Sequence, residues 1–461
     1  MNIVLKQVPA PKLDNSGKPV LISDETIQLR KQKILRLMEE AGLSSIVVYA
    51  DKEHGGNFEY LTGFIPRFEE GLQILNQDGS STLVLGNENY NKVKFSRVES
   101  EGVHCPLFSL SNQPMGDFRP LAHYLRQVHI DTSKKVGVVG WKLLSYDYDD
   151  FHQNFDIPAF MLDALVEVVG RDKLVNATQI YMHPGKGARA TNNANEIARY
   201  EYGASLASDA VLSALNALEE GIAETEAGNL LNRDGQYQTV VTISAFGDRF
   251  INANIYPTDR KLKKGDKVAL TVAYKGGLSS RSGYAVSNMQ ELEKADSGYF
   301  EEVVVPYFKA YNWWLQNIEI GIKGGEFYDK FAEFYPPEKY GWELCPGHLT
   351  ADEEWLSSPF YKGSDAVVQS GNIFQVDFIP IQKGHHGVSA ESTVALADED
   401  LIKEIQAEYP DLWERIESRR TYLKEHLNIE LKREILPLAS TLGYYRPFFL
   451  NKEIALALEN K

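Results

Sequence analysis

The sequence predicts an α/β protein of two domains, and three observations support this prediction. The chain has 461 residues, more than one compact domain usually contains. Helical and strand patterns alternate along its first third, as they do in α/β domains. A stretch of small and polar residues around 170–195 (RDKLVNATQIYMHPGKGARATNNANE) then separates this part from a long helical pattern.

The first predicted domain begins with a helix. Between Asp24 and Gly42 apolar residues recur at helical spacing, and the glycine is a natural helix stop. The run SSIVVYA follows as a strand, and LQILNQDGSSTLVLG contains two apolar runs around a hairpin turn. Alternating helical and strand patterns continue to the strand VGVVG at 136–140.

The second predicted domain opens with a long helix from Asn195 to about Glu220. After Tyr237 the pattern changes to short apolar or alternating runs, which predict strands. These runs are VVTISAF, VALTVAY, IFQVDFIPI and STVALAD.

The tail of the chain differs from both domains. It is charged and helical in pattern and then aromatic at GYYRPFF, which we interpret as an extension for packing or dimerisation. We therefore predict domains at 1–180 and 181–400 and a helical extension at 401–461 that packs on the second domain.

Charge, apolar runs and cysteines argue against several classes of protein. Of the residues 43% are hydrophobic, as in ordinary globular proteins, and the net charge of -16 repels polyanions. Nucleic acid and anionic membranes are therefore not expected partners, and no apolar run has the length of a membrane span. The two cysteines, Cys105 and Cys345, argue against a disulfide framework or a thiolate zinc site. We predict a cytoplasmic protein.

Several motifs occur in a fixed order between residues 24 and 400. They are NFEYLTGF, NEIARYEYGASLASDAV with EEGIAETE, YPTDRKLKKGDKVAL, PGH at 346–348, SGNIFQVDFIP at 370–380 and GVSAESTVALAD at 387–398. Together they resemble the aminopeptidase P, prolidase and creatinase family. The resemblance implies a creatinase-type N-terminal α/β domain followed by a pita-bread domain, in which helices flank a curved antiparallel sheet. It also implies a homodimer, because creatinase-type proteins complete their sites across subunits.

The resemblance implies a site for two metal ions, which this sequence matches only in part. Family peptidases hold the ions with two Asp, one His and two Glu. Here Thr271 and Ser282 stand where the two aspartates belong. His348, Asp377 and Glu391 match the other three positions, so we predict a largely dismantled site that needs no cofactor. A single divalent ion on those three residues is the alternative.

The resemblance also implies residues that contact the substrate. Asn254 stands where the family has a histidine, and an amide cannot take a proton at neutral pH. Arg67 lies near the place where creatinase-like dimers direct an arginine into the neighbouring site, and Arg281 is a second candidate for that role. We predict Asn254, Ser282, Thr271 and Arg67 as substrate-binding residues.

Creatinase provides the precedent for function, because it shares the fold and lacks the metals. By analogy we predict a hydrolase that cleaves a C–N or amide bond of a small substrate or short peptide, with a cationic group as one option. Asp377 and Glu391 would bind the cation, and His348 would be the titrating catalytic group. The alternatives are a metal-dependent Xaa-Pro aminopeptidase-type peptidase and a noncatalytic pita-bread binding module.

Three further patterns have simpler interpretations. The segment TADEEW, with Asp352 and Glu354, is typical of a solvated turn, although one acid could orient His348. The pair His385 and His386 resembles an exposed hairpin tip. The serines of GLSSRSG lack the strained elbow and the placed base of a nucleophile.

Overall fold

The computed structural model describes residues 2–14, 17–113, 118–144, 151–249 and 256–459. The chain divides into two compact units, Ile22–Ala190 and the combination of Met1–Leu21 with Thr191–Lys461. We call them the N-terminal unit and the C-terminal unit. The first 21 residues group with the C-terminal unit because their strand β1 (Ile3–Gln7) pairs with a strand near the end of the chain.

The N-terminal unit contains a six-stranded mixed sheet with the order β5-β4-β3-β2-β6-β7. Its strands are β2 (Leu43–Ala50), β3 (Gly71–Asn76), β4 (Ser81–Leu85), β5 (Glu101–His104), β6 (Lys135–Val139) and β7 (Leu174–Asn176). Its helices are α1 (Asp24–Glu40), α2 (Gly56–Thr62), α3 (Leu121–Leu125), α4 (Ala159–Val169) and α5 (Gln179–Met182).

In the N-terminal unit, the helix and strands named below occur where the sequence patterns predict them. The first helix begins at Asp24 because the Ser23 side chain accepts the Thr26 N–H and caps it. The run SSIVVYA lies within β2, the predicted hairpin turn joins β3 to β4, and VGVVG overlaps β6. β2 and β3 are buried along their whole lengths, as their apolar runs indicate.

The C-terminal unit contains three antiparallel sheets, ordered β10-β9-β8, β11-β12-β13-β14 and β1-β15, in its described residues. The remaining strands are β8 (Ile243–Phe246), β9 (Lys267–Tyr274), β10 (Gly277–Tyr284), β11 (His348–Leu349), β12 (Ile373–Gln375), β13 (Thr393–Leu396), β14 (Ile435–Pro437) and β15 (Ile454–Leu458).

Helices surround these sheets. They are α6 (Ala194–Ala217), α7 (Glu224–Asn229), α8 (Met289–Ala295), α9 (Val305–Asn317), α10 (Gly324–Phe334), α11 (Pro337–Tyr340), α12 (Glu399–Glu408) and α13 (Pro410–Leu427). The long helix α6 starts with a capping box formed by Asn193 and Glu196. Among the described helices, none has both the length and the apolar content to cross a membrane.

The tail is helical only in its first half. After α13 ends at Leu427, the chain supplies β14 at the edge of the four-stranded sheet and β15 opposite β1. The predicted extension at 401–461 therefore contributes strands as well as helices to the C-terminal unit.

Candidate functional site

Three of the predicted site residues meet in the C-terminal unit. One ligand-capable atom from each of His348, Asp377 and Glu391 lies within 4.8 Å of the other two. All three residues are buried, and the side chain of His348 is only 1% exposed. Two carboxylates and an imidazole therefore share one small buried space.

Strand register explains why these residues meet. His348 on β11 lies opposite Gln375 on β12, and Gln375 lies opposite Thr393 on β13. Directly opposite residues of an antiparallel sheet point to the same face, and so do residues two positions apart. Asp377 and Glu391 are two positions from Gln375 and Thr393, so all five side chains are directed to one face.

The loop before His348 is held by tight packing. The indole N–H of Trp314 donates to the Pro346 carbonyl over 2.7 Å. Gly347 has φ +107, and a Cβ there would lie 2.9 Å from the Gln375 carbonyl oxygen. Because L side chains avoid this backbone region, the glycine permits the approach that places His348 on the sheet.

A fourth residue, Glu354, belongs to the cluster. Its Oε1 lies 2.9 Å from Nε2 of His348, and Asp377 Oδ2 lies 3.9 Å from the same nitrogen. Backbone bonds between Leu349 and both Leu356 and Ser357 fold the segment back over the histidine. The neighbouring acid Asp352 pairs instead with Tyr200 and Lys275. The solvated-turn interpretation is therefore wrong for Glu354, and the alternative, that one acid of this segment orients His348, agrees with its position.

The protonation of His348 follows from its contacts. Nδ1 lies 3.2 Å from the Leu349 carbonyl oxygen, so we assign the ring hydrogen of the neutral form to Nδ1. Nε2 is buried and, among the described residues, has no partner in good hydrogen-bond alignment. Burial opposes protonation, but the carboxylates of Glu354 and Asp377 outweigh it and raise the pKa of His348. A proton or a bound cation between Nε2 of His348 and the carboxylates of Glu354 and Asp377 offsets their negative charge.

Asp377 and Glu391 resist ionisation. Burial raises the pKa of Asp377 to about 6, with His348 opposing and Glu354 adding to the effect. Burial raises the pKa of Glu391 well above its ordinary value, and the Asp377 and Glu354 carboxylates add to this effect. Uncompensated negative charge is costly in a buried space, so the cluster favours protons or a bound cation.

Gln375 contacts the side chain of Glu391, and Arg281 contacts its main chain. Gln375 Nε2 donates to Glu391 Oε1 over 3.2 Å and to the Leu278 carbonyl over 3.0 Å. The fully buried guanidinium of Arg281 donates to main-chain carbonyls, including that of Glu391. Arg281 therefore connects main-chain segments of the fold, and its positive charge offsets part of the negative charge of the cluster.

The comparisons with known proteins agree with this architecture. Residues 30–181 match the family model of the Creatinase/Prolidase N-terminal domain. The Xaa-Pro dipeptidase from Bacillus anthracis is similar to this chain in structure, with a TM-score of 0.59 and 17% identity over 81% of this chain and 96% of its own. The chain has a creatinase/prolidase N-terminal domain and the prolidase fold.

Other prolidase structures give the same result. The prolidase from Pyrococcus horikoshii OT3 has a TM-score of 0.60 and 16% identity over 80% of this chain and 95% of its own. The prolidase from Thermococcus sibiricus has a TM-score of 0.60 and 19% identity over 81% of this chain and 95% of its own. No curated protein matches the sequence. The predicted family resemblance and fold class, with a pita-bread domain after the creatinase-type domain, are confirmed.

The remaining predicted residues of this prolidase-fold chain lie in three places. Thr271 Oγ1 is 2.9 Å from Ser280 Oγ, and Ser282 Oγ is 3.0 Å from His386 Nε2. Arg67 belongs to the N-terminal unit, where its main-chain N–H donates to Asn89. Asn254 lies outside the described residues.

Trp355 is a residue of the site that sequence patterns did not single out. Its ring stacks on the His348 imidazole at a centroid distance of 4.2 Å and an angle of 26°. The side of the residue away from this contact is open, since Trp355 is 42% exposed. The indole therefore fixes the plane of the imidazole and forms an aromatic surface beside it.

Glu391→Gln is expected to stabilise the ligand-free protein. Folding raises the pKa of Glu391, so its contribution to stability is full below its unfolded pKa and is lost as the pH rises through the folded pKa. Glutamine removes this loss, and we expect a gain of about 1–3 kcal/mol in the free energy of unfolding at pH 8. Urea unfolding at pH 8 and pH 5 measures it.

The gain in free energy of unfolding should be smaller at pH 5, because the wild-type Glu391 carboxyl is then protonated in a larger fraction of both folded and unfolded molecules. Glu404→Gln, at an exposed position of α12, is the matched control and should change little at either pH. A variant less stable than the wild type at pH 8 would contradict the strained-acid interpretation.

Proposed function

We propose that this chain is a hydrolase that cleaves a C–N or amide bond of a small substrate carrying a cationic group. One observation supports the proposal above the others. The carboxylates of Asp377 and Glu391 lie with the unaligned Nε2 of His348 in one buried space, and the carboxylate of the partly buried Glu354 lies 2.9 Å from the same nitrogen. Such a space binds a cation because attraction between charges is strong where water is excluded.

Each residue has a role in the proposed reaction. Asp377 and Glu391 bind the cationic group of the substrate and orient the scissile bond. Nε2 of His348 accepts a proton from the attacking water and returns it to the leaving nitrogen. Glu354 balances the charge of the imidazolium that forms in between, and Trp355 holds the ring in place.

The two-metal arrangement of related peptidases does not fit these residues. Thr271 and Ser282, which match the two aspartate positions by resemblance, offer neutral hydroxyls that contact Ser280 and His386. Neither can supply a bridging carboxylate. We therefore propose that the second metal position is lost.

One divalent ion does fit the donor set. The unaligned Nε2 of His348 and one oxygen each of Asp377 and Glu391 would hold it. A bound ion would polarise a carbonyl and activate water. A single-metal Xaa-Pro peptidase is therefore the second candidate, supported by the distances among these three residues.

Turnover after metal removal separates the two candidates. We expect protein treated with a chelator and shown by elemental analysis to be free of manganese, iron and zinc to hydrolyse members of a panel of guanidino and amino-substituted amides. Asp377→Asn should weaken binding of the cationic members, and Asp365→Asn, a change outside the cluster, is the control.

Two results would favour other functions. Near-stoichiometric metal together with chelator-sensitive cleavage of Xaa-Pro dipeptides would establish the second candidate. Saturable peptide binding with no turnover under either condition would support a noncatalytic binding module. The homodimer and the cytoplasmic location stay predictions.

A further inference from the structure

A serine and a histidine meet outside the carboxylate cluster. Ser282 lies on β10, and its Oγ is 3.0 Å from Nε2 of His386. The two residues are 104 positions apart, which explains why the sequence around GLSSRSG shows no placed base. His386 is only 7% exposed, so it is not the freely solvated hairpin tip that its sequence suggests.

His386 is held through its main chain and by packing of its ring. Asp296 Oδ2 accepts the main-chain N–H of His386 over 3.1 Å and the hydroxyl of Tyr284 over 2.7 Å. The Tyr284 and His386 rings meet edge to face at 5.5 Å. Ser282 and His386 therefore supply a nucleophile and a neighbouring base, and the Tyr284 ring packs against that base.

Strand pairing places this pair beside the carboxylate cluster. The N–H of Ser282 donates to the Ser389 carbonyl over 3.2 Å, and the N–H of Ser280 lies 3.4 Å from the Glu391 carbonyl. Ser282 is therefore opposite Ser389 and diagonal to Glu391 on one face of the sheet. Diagonal neighbours on a sheet face are about 7–8 Å apart, a distance that one small substrate can span.

We propose that Ser282 is a nucleophile and His386 its base in an acyl-transfer reaction on ester or amide carbonyls. Ser282 Oγ bonds to the carbonyl carbon while its proton moves to Nε2 of His386. The C–N or C–O bond then breaks, and the leaving group takes that proton. Water attacks the resulting ester with His386 as base, which releases the acid and restores the serine. The inference goes beyond the proposed function, because it assigns a second route in which Ser282 and His386 take the place of water and His348, and it rests on the proposed function only for the class of substrate.

The environment of His386 supports the direction of proton transfer. Burial, with the charge of Lys267, lowers the pKa of His386 to about 4, so the imidazole is neutral at neutral pH. The tautomer with its hydrogen on Nδ1 presents the Nε2 lone pair to the Ser282 hydroxyl. An imidazole of such low basicity activates serine only moderately. Labelling slower than that of a full triad hydrolase is therefore expected.

Covalent labelling tests the pair without knowledge of the substrate. The intact wild-type protein is treated with a small alkyl fluorophosphonate, and the adducts are located by mass spectrometry of its peptides. We expect one main adduct on Ser282, formed at least about tenfold faster than on any other serine, since general bases commonly contribute 100-fold or more. His386→Gln should remove most of that rate advantage, and Ser282→Ala the adduct itself.

Ser280 provides a matched control on the same strand. It is two positions from Ser282, but its hydroxyl contacts the Thr271 hydroxyl at 2.9 Å rather than an imidazole. Ser280→Ala should therefore label at the wild-type rate. Wild-type protein in which Ser282 reacts no faster than Ser280 would overturn the inference, whether or not the variants fold.

Failure of this inference and failure of the proposed function give different results. Slow labelling of Ser282 with turnover that depends on His348 would remove the nucleophile and leave the hydrolase. Rapid labelling in both the wild type and His348→Gln, with turnover that does not depend on His348, would support the nucleophile and remove the proposed role of the carboxylate cluster.

Discussion

His348→Gln is expected to lower turnover at least about 100-fold while the chain stays folded. Glutamine has a similar length and keeps a donor for the Leu349 carbonyl, but it cannot exchange a proton near neutral pH. The fold should survive because the strand register and the Trp314 bond to Pro346 do not involve the ring. The measurement is kcat on the best panel substrate in metal-depleted buffer, with circular dichroism as the test of folding.

Two acids of one segment provide the control for this variant. Glu354 contacts the imidazole at 2.9 Å, whereas Asp352, two residues earlier, contacts Tyr200 and Lys275. Because the Glu354 charge helps to raise the pKa of His348, Glu354→Gln should move the acid limb of the kcat profile to lower pH. Asp352→Asn should leave that limb in place. Unchanged turnover in His348→Gln would remove histidine from the mechanism.

The predictability of the site depends on whether a residue lies in a motif that resembles those of the family. His348, Asp377 and Glu391 could be predicted from the resemblance of the motifs around them, and the strand register of the structure then explains why they share a face. Glu354 could be inferred only as one of two acids able to orient His348, because a polar turn faces water or folds inward according to a few backbone bonds that sequence does not reveal. His386 depends on a partner far away in sequence.

Some elements of the fold follow from neighbouring residues, and others depend on pairing with distant strands. The helix after Ser23 and the hairpin between β3 and β4 follow from capping and turn residues that act locally. The strands β14 and β15 come from the short runs ILP and IALAL, which pattern alone cannot distinguish from helical segments. Pairing with distant strands decides their structure, and the pairing of β15 with β1 also brings the first residues into the C-terminal unit.

Glu201→Leu is expected to lower the free energy of unfolding of the C-terminal unit by about 3–5 kcal/mol. The fully buried Glu201 carboxylate on α6 contacts Nη2 of both Arg415 and Arg419 on α13 at 2.6 Å. Leucine fills part of the space but removes the carboxylate that both guanidinium groups contact, which leaves the buried Arg419 with Asp14 Oδ2 at 2.6 Å and the partly buried Arg415 with the same carboxylate at 3.8 Å. Removing one partner of a buried ion pair costs more than replacing both partners by apolar residues, because the remaining charge stays desolvated.

Urea unfolding followed by tryptophan fluorescence reports mainly on the affected unit, since Trp141 is the one tryptophan of the N-terminal unit and the other five lie in the C-terminal unit. Glu326→Gln is the control, because it removes an exposed pair with Lys330 at the same 2.6 Å distance. Exposed pairs of this kind contribute about 0.3–0.5 kcal/mol. Equal losses in the two variants would contradict the argument from burial.

The pH dependence of Glu201→Leu distinguishes lost charge pairing from lost packing. Burial opposes ionisation of Glu201, but Arg419 and Arg415 outweigh it and hold its pKa below the ordinary value. Its stabilising contribution is therefore present above the unfolded pKa and is lost as the pH falls through the folded pKa. The difference in free energy of unfolding between wild type and variant should be largest near pH 7 and should narrow in acid. A difference that stays constant from pH 7 to pH 3 would assign the loss to packing of the side chain rather than to its charge.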